Sequence, residues 1–156
     1  MSINRPKQRP VRLLDRGKRD VRTQFGALCW RAQGDETQVL LVTSRRSKRW
    51  IIPKGWPVDR ATPAEAAAPE AWEEAGVEGK VKPTCLGIFS YSKAIMDGEL
   101  LPCVVAVFPL RVKKTRGSYP EKGERRRKWV SQKKAAQLAD DPELAAIIAN
   151  FDPKSL

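Results

Sequence analysis

The sequence predicts an α/β fold, in which three helices pack against a β-sheet of about six strands. Three observations support this prediction. Short apolar segments bounded by Gly-containing turns are typical of strands. Capping residues followed by apolar residues at helical spacing are typical of helices. The chain has 156 residues, of which 41% are hydrophobic, which suits one domain with one sizeable core.

Two hairpins and two short strands account for the predicted sheet. The first hairpin joins QFGALCW to QVLLVTS through a turn at Gly34 and Asp35, and WIIP follows as a short strand. The second hairpin joins TCLGIFSYS to LLPCVVAVFPLRV through a turn at Asp97 and Gly98, and RKWVS forms the last strand.

Two of the three predicted helices close the chain. Ser131 is the expected N-cap of a helix that begins at about Gln132, and Asp141 with Pro142 opens the next helix. Apolar side chains recur at helical spacing in the last helix, which places them in the core: Leu144, Ile147, Ile148 and Phe151.

The central helix has a clear beginning and end. Thr62 and Glu65 form a capping box, and Pro63 takes the first helical position. Gly76 marks the end of this helix. We expect Trp72, which lies opposite the acidic face described next, to be in the core.

Three carboxylates share one face of the central helix. At 100° per residue, Glu70, Glu73 and Glu74 fall within an arc of roughly 100°. Residues 63–76 contain no Lys or Arg to offset them, and two of the acids lie at the negative end of the helix dipole. A cation from outside the helix is therefore required. Mg²⁺ or Mn²⁺ is one candidate, and arginine from elsewhere in the chain is the other.

The composition excludes several kinds of chemistry. The chain has no histidine, so catalytic triads and zinc sites that contain histidine are excluded. The formal charge of +12 favours polyanionic partners such as phosphates or nucleic acid. The cysteines, Cys29, Cys85 and Cys103, show no CxxC spacing, and we expect them to be buried, reduced thiols.

The first 20 residues are rich in Arg and Lys. We expect a flexible basic arm over residues 1–20, followed by one domain over residues 21–156. A solubilising tail and an arm that contacts phosphate are both compatible with this composition. No segment has the apolar length of a signal peptide or a membrane span, which predicts a cytoplasmic location without membrane contact.

The segment from Gly55 to Val77 resembles the Nudix box, whose pattern is Gly, five residues, Glu, seven residues, Arg-Glu, aliphatic, any residue, Glu-Glu, any residue, Gly, aliphatic. The matching residues are Gly55, Glu70, Ala71, Glu73, Glu74, Gly76 and Val77. The flanking segments RRSKRWIIPKGWP and GERRRKWVS resemble the diphosphoinositol polyphosphate phosphohydrolase branch of the Nudix hydrolases. The resemblance implies an α/β/α sandwich with a mixed central sheet.

Two box positions depart from the pattern. Ala61 replaces a glutamate, whose role Asp59 or Glu65 is available to take over in part. Pro69 replaces the arginine that in the family pairs with the residue here numbered Glu73. Proline inside a helix costs about 3 kcal/mol or more, so we expect a kink. The site also needs another orienting cation, or else it is weakened.

The resemblance also implies roles for individual residues. The backbone carbonyl of Lys54 and the side chains of Glu70 and Glu74 bind the metal, and Glu73 is the general base. The family can also draw a base from a later loop, where the candidates are Glu121 and Glu124, although solvated loop acids are the favoured interpretation of both.

Basic residues flank the box and are the candidates for binding substrate phosphates. They are Arg22, Arg45, Arg46, Arg49, Lys54 and Arg127. Trp56 could stack on a nucleotide base, as could Tyr91, but packing of its turn is the favoured role for Trp56.

The expected function is metal-dependent hydrolysis of a phosphoanhydride bond by water. The expected substrate is multiply phosphorylated, such as a dinucleoside polyphosphate or a diphosphoinositol polyphosphate. The alternative is a nucleic-acid-binding module, or an RNA 5′-end pyrophosphohydrolase, on the same scaffold with weakened catalysis. The sequence leaves the oligomeric state open.

Overall fold

The computed structural model describes residues 22–95 and 98–156. The predicted basic arm (1–20) and Asp97 of the second predicted turn lie outside these residues. The strands are β1 (Arg22–Gln33), β2 (Glu36–Thr43), β3 (Trp50–Ile51), β4 (Lys54–Gly55), β5 (Val77–Val81), β6 (Gly87–Ala94), β7 (Leu100–Thr115) and β8 (Arg127–Ser131). The helices are α1 (Pro63–Ala75), α2 (Gln132–Leu138) and α3 (Pro142–Asn150), with a 3₁₀ turn at Pro153–Ser155.

The strands form one mixed sheet, as expected. Its main order is β3-β2-β1-β7-β5, with β4 paired to β1, β6 to β7 and β8 to β2. The pair of β1 with β7 is parallel, in a register that runs from Arg22 opposite Cys103 to Trp30 opposite Arg111. The other paired strands are antiparallel.

Alternation along β1 and β2 supplies two apolar faces, because successive side chains in a strand point to opposite sides of the sheet. On one face, Leu28 and Trp30 pack with residues of α2 and α3. On the other face, Ala27 and Cys29 pack with the alanines of α1. The helices thus cover both sides of the sheet, which is the α/β/α sandwich that the resemblance implies.

Helix α1 begins and ends as the sequence predicts. The Thr62 hydroxyl accepts a hydrogen bond from the Glu65 backbone N–H, and the Glu65 carboxylate accepts one from the Thr62 N–H. Gly76 ends the helix with φ of 67°, a left-handed conformation that favours glycine. Five buried alanines allow α1 to approach the sheet closely: Ala64, Ala66, Ala67, Ala71 and Ala75.

Over the residues that it describes, the structure corrects three sequence-based expectations about the fold. It has eight strands rather than about six, because β4 is only two residues long and β5 has apolar residues only at its ends. Cys29 and Cys103 are buried as expected, but Cys85 is exposed, since β6 begins only at Gly87. The alanine face of α1 covers the sheet, so Trp72 lies on the flank of the helix and is only partly buried.

The described helices are short, and α1 with 13 residues is the longest. None of them, over the part of the chain that the structure describes, has the length and apolar character needed to cross a membrane.

Pro69 lies in the interior of α1 and is exposed, and the helix is continuous across it. The predicted kink therefore does not interrupt the helix, and its angle stays a prediction. Replacement Pro69→Ala should raise the free energy of unfolding by roughly 1–3 kcal/mol, because alanine restores a backbone donor and removes the ring clash. Urea denaturation measures this difference.

Pro63→Ala is the matched control for this prediction. Pro63 occupies the first turn of α1, where a missing N–H costs little, so its replacement should change stability by only a few tenths of a kcal/mol. Equal effects of the two substitutions would contradict the assignment of a local cost to Pro69.

Candidate active site

Glu70 lies directly against the backbone of β4. A Cβ atom built on Gly55 would stand 2.2 Å from both the Cδ and the Oε1 atoms of Glu70, far inside van der Waals contact. Only glycine at position 55 therefore leaves room for this carboxylate. The first glycine of the box thus has a concrete function in this chain, which is to provide a cradle for Glu70.

Glu74, one helical turn further on, is the buried charge of this region. Its side chain is only 7% exposed. One carboxylate oxygen, Oε1, accepts a hydrogen bond of 3.2 Å from the Arg125 guanidinium. The other, Oε2, accepts one of 3.3 Å from the backbone N–H of Lys54. Donors from two different parts of the chain therefore hold the orientation of this carboxylate.

Arg125 comes from the connection between β7 and β8 and is 8% exposed. Besides Glu74, it donates to Oε1 of Glu121 at 3.4 Å and to the backbone carbonyl of Thr43 at 3.1 Å. Glu121 is 18% exposed. This finding is against the favoured interpretation of Glu121 as a solvated loop acid, whereas Glu124 is indeed well exposed at 49%.

The β7–β8 connection is bound to the end of α1. The Glu121 N–H donates to the Glu73 carbonyl at 2.9 Å, and the Arg127 guanidinium donates to the Ala75 carbonyl at 2.8 Å. The last carbonyls of a helix have no partner within the helix, so these bonds satisfy them. Since α1 has no basic residue in its last turn, Arg127 also supplies the positive charge that the helix dipole favours there.

Burial dominates the electrostatics of these groups. It raises the pKa of Glu70 to about 7, with repulsion from Glu73 and Glu121 as a further cause. It also raises the pKa of Glu74 to about 7, although Arg125 and Lys54 oppose this shift. Burial lowers the pKa of the Lys54 ammonium, while Glu74 acts in the opposite direction. Perturbed values in one cluster are typical of functional sites.

The sequence left open which cation neutralises the three carboxylates of α1. At Glu74 the structure shows arginine, one of the two alternatives. Within residues 22–95 and 98–156, neither Glu70 nor Glu73 forms an ion pair, and Glu73 is exposed. The helix face thus carries one neutralised acid and two acids that remain available to a further cation.

Two of the basic residues proposed to bind substrate form ion pairs with acids in different parts of the structure. Arg45 pairs with Glu124 at 3.6 Å and with Glu121 at 3.8 Å, so it lies beside the acidic cluster. Arg49 instead pairs with Asp140 at 3.4 Å, just after α2.

The remaining candidates are spread around the sheet. Arg46 is exposed, and Arg22 is half-buried at the start of β1. Arg127 stacks on Tyr119 in addition to its bond to the helix end. The substrate-binding roles of all five arginines stay predictions.

Two aromatic rings, Tyr91 and Trp56, each have a lysine ammonium over the ring face. The Lys54 ammonium lies 4.9 Å from the centre of the Tyr91 ring, and the Lys93 ammonium lies 4.9 Å from the centre of the Trp56 ring. Trp56 is 40% exposed. Its exposure and the Lys93 ammonium over its ring are against the favoured expectation that Trp56 mainly packs its own turn.

The donor set suits a hard divalent cation bound partly by its substrate. Among the described residues, no group of three or more Asp, Glu or Cys side chains is arranged to hold a metal ion. Mg²⁺ commonly takes only one or two carboxylates and completes its shell with carbonyl, water and phosphate oxygens. Glu70 in its cradle and Glu74 beside it match that smaller requirement, and the Lys54 carbonyl is the predicted third ligand.

Comparison with known proteins agrees with this geometry. The family model described as the NUDIX domain matches residues 22–151. The chain belongs to the Nudix family. Nudix hydrolases generally use divalent metal ions.

Two curated relatives place the chain within the family. The mitochondrial Nudix hydrolase 12 of Arabidopsis thaliana is 35% identical over 107 residues, which are 67% of this chain and 53% of the relative. The human diphosphoinositol polyphosphate phosphohydrolase 3-alpha is 38% identical over 66 residues, which are 42% of this chain and 40% of the relative. The matched region is thus about half the length of the plant protein.

Solved structures support the fold. The Ap4A hydrolase of C. elegans superimposes with a TM-score of 0.62 and 18% sequence identity, covering 88% of this chain and 100% of that one. The NUDIX hydrolase of Nitrosomonas europaea gives 0.63 and 17%, covering 88% and 96%. At this identity the similarity concerns the Nudix fold alone.

Sequence reasoning missed Arg125. The absence of cations in α1 and the proline at position 69 indicate that an outside cation is needed, and the segment GERRRKWVS contains three consecutive arginines. Of these arginines, only Arg127 is a predicted site residue, and its predicted role is substrate binding. Strand pairing decides which arginine meets which group: it places Arg125 beside Glu74 and Arg127 at the end of α1.

Gly55→Ala should remove Glu70 from its present position, since the added methyl group would overlap its carboxylate. We expect any activity that depends on Glu70 to fall at least tenfold while the protein stays folded, because Glu70 can rotate towards solvent. Activity assays and circular dichroism measure the two effects. Gly117→Ala is the control, as nothing lies within 4 Å of that position. Full activity of Gly55→Ala would refute the claim that the activity requires Glu70 in its position against Gly55.

The stability of the metal-free protein should fall as the pH rises from about 5 to about 7.5. Glu70 and Glu74 titrate at about 7 when folded and near 4.5 when unfolded. The folded state therefore binds more protons in this window, and the stabilisation present below 4.5 is lost as the pH passes through 7. Denaturation in a chelator at several pH values measures the slope.

Glu70→Gln should flatten this slope, since glutamine does not titrate. Glu65→Gln is the matched control on the same helix, because glutamine preserves the capping box. If the slope is unchanged in Glu70→Gln, Glu70 does not contribute to the pH dependence of stability.

Proposed function

We propose that this chain hydrolyses a phosphoanhydride bond of a small, multiply phosphorylated substrate, with water as the nucleophile and Mg²⁺ or Mn²⁺ as the cofactor. Glu70, Glu74 and the Lys54 carbonyl would hold the ion. The observation that carries the proposal is the position of the two box carboxylates, one in the Gly55 cradle and one buried under Arg125.

The bound ion would neutralise charge on the phosphate oxygens and help to acidify the attacking water. The protein must then accept the proton of that water. We propose Glu73 for this role, because its carboxylate is exposed and makes no ion pair within the described residues. Glu121, the second candidate, is already engaged by Arg125 and Arg45, so its carboxylate oxygens are less available to the attacking water.

The basic residues near the cluster support a substrate with several phosphates. Arg45 lies beside Glu121 and Glu124, and Lys54 is next to the cradle. Guanidinium groups bind phosphate through paired donors. Relatives named for diphosphoinositol polyphosphate and for Ap4A suggest the same substrate class. We therefore propose a dinucleoside polyphosphate or a diphosphoinositol polyphosphate as the substrate.

A second candidate function is hydrolysis at the 5′ end of RNA. It is supported by exposed basic side chains on β5 and β7 that make no ion pair within the described residues: Lys80, Arg111, Lys113 and Lys114. A surface of this kind attracts a phosphodiester backbone. The two candidates share the chemistry and differ in the length of the polyanion.

A substrate panel tests the proposal. Phosphate release is measured from diadenosine polyphosphates, diphosphoinositol polyphosphates and triphosphorylated RNA, with Mg²⁺, with Mn²⁺ and with a chelator. We expect metal-dependent release from one of the first two. Release from RNA alone would favour the second candidate, and no metal-dependent release from any substrate would refute the proposal.

Glu74→Gln should abolish this release, by about 100-fold or more, because the amide is a poor ligand for a hard cation. Glu78→Gln is the matched control, since Glu78 forms an exposed ion pair with Arg116 on the same part of the chain. Kinetics of both variants at saturating metal provide the comparison. Retention of activity by Glu74→Gln would show that Glu74 is not a metal ligand required for hydrolysis.

A further inference from the structure

The Nudix box of this chain lacks its own orienting cation. Proline occupies position 69, where the box has arginine, and α1 has no basic residue in its last turn. Nevertheless the carboxylate of Glu74 is buried at 7% exposure. A buried carboxylate without a partner is strongly unfavourable. The fold must therefore supply a cation to α1 from another element.

Arg125 supplies that cation and connects three elements. Its guanidinium contacts Glu74 on α1, Glu121 in the β7–β8 connection and the Thr43 carbonyl at the end of β2. These contacts use three different nitrogens of the group. A planar fork with five donors can serve three acceptors in fixed directions, which the single ammonium of lysine cannot do.

The backbone beside Arg125 is also held in place. The Arg126 N–H donates to the Thr43 hydroxyl at 2.9 Å, and the Thr43 N–H donates to the Arg126 carbonyl at 3.0 Å. This pair of bonds connects the loop to β2, a strand in the interior of the sheet. The backbone next to Arg125 is therefore fixed, which restricts the orientation of the guanidinium group.

We propose that Arg125 is the positioning residue of this catalytic centre: it supplies from the β7–β8 connection the orienting cation that the box lacks, and it does so at Glu74, not at Glu73. It holds one oxygen of Glu74 while Lys54 N–H holds the other, and it connects the loop acid Glu121 to α1. Its effect on the reaction passes through these carboxylates, so it is not itself a catalytic residue. The inference rests on the proposed function.

A purely structural role is the competing explanation. A buried ion pair is a poor source of stability, since apolar residues of similar volume often do as well or better. An ion pair that orients a metal-binding carboxylate has a different effect. Loss of such a partner typically costs about 10- to 100-fold in metal affinity or activity. The two explanations therefore differ in what a conservative substitution changes.

Arg125→Lys is the decisive variant, because it keeps the charge and loses the fork. We expect a Tm close to that of the wild type, a kcat at least tenfold lower with KM changed less than threefold, and Mn²⁺ binding weakened about tenfold, measured by electron paramagnetic resonance without substrate. Arg116→Lys is the matched control, since Arg116 makes an exposed ion pair with Glu78. It should change none of these quantities.

A lower Tm with unchanged Mn²⁺ affinity and unchanged kcat would show a structural role and overturn the proposal. Hydrogen exchange at the Glu121 amide, which bonds to the Glu73 carbonyl, gives a further readout. It should accelerate in Arg125→Lys if Arg125 holds the loop on α1. An unchanged exchange rate at this amide would refute the proposal that Arg125 holds the loop on α1. If the wild type released no phosphate at all, the proposed function would fail, and Mn²⁺ binding would still test Arg125.

A second experiment tests whether a cation on α1 compensates for the loss of Arg125. Pro69→Arg restores the box arginine on α1. The loss of Mn²⁺ affinity caused by Arg125→Lys should be smaller in the Pro69→Arg background than in the wild type, because a second orienting cation is then present. Equal losses in the two backgrounds would contradict the proposal that Arg125 supplies the cation that the box lacks.

Discussion

The burial of one carboxylate on the sheet-facing side of α1 is the constraint on which the site depends. Glu74 lies among alanines that pack against the sheet and is almost completely excluded from water. A charge in that position is stable only with hydrogen bonds to both of its oxygens and a cation beside it. The chain meets this need with the Lys54 amide and Arg125.

The same constraint explains why distant parts of the chain meet at this point. Arg125 is 51 residues from Glu74, and the Lys54 amide is 20 residues away on the other side. Pairing of β4 with β1 and of β8 with β2 brings both donors to α1. Strand pairing thus places two hydrogen-bond donors beside a helix that has no Lys or Arg of its own.

Much of the fold and part of the site could be predicted from local patterns. The capping box at Thr62 and the acidic face of α1 are properties of a few consecutive residues, so their chemistry is visible without the fold. Two strands were missed because β4 and β5 exist through pairing with β1 and β7, not through their own composition. The exposure of Cys85 and Trp56 likewise depends on where neighbouring elements end.

The sequence by itself determined that three acids share a helix face, that no cation on that helix neutralises them, and that the family arginine is absent at Pro69. These are consequences of helical periodicity and of residue identity. The tertiary structure alone decided that Gly55 makes room for Glu70, that Arg125 reaches Glu74, and that Arg127 reaches the end of α1. The physical reason is that contact between residues far apart in the chain is set by strand register and by close packing, neither of which a local pattern contains.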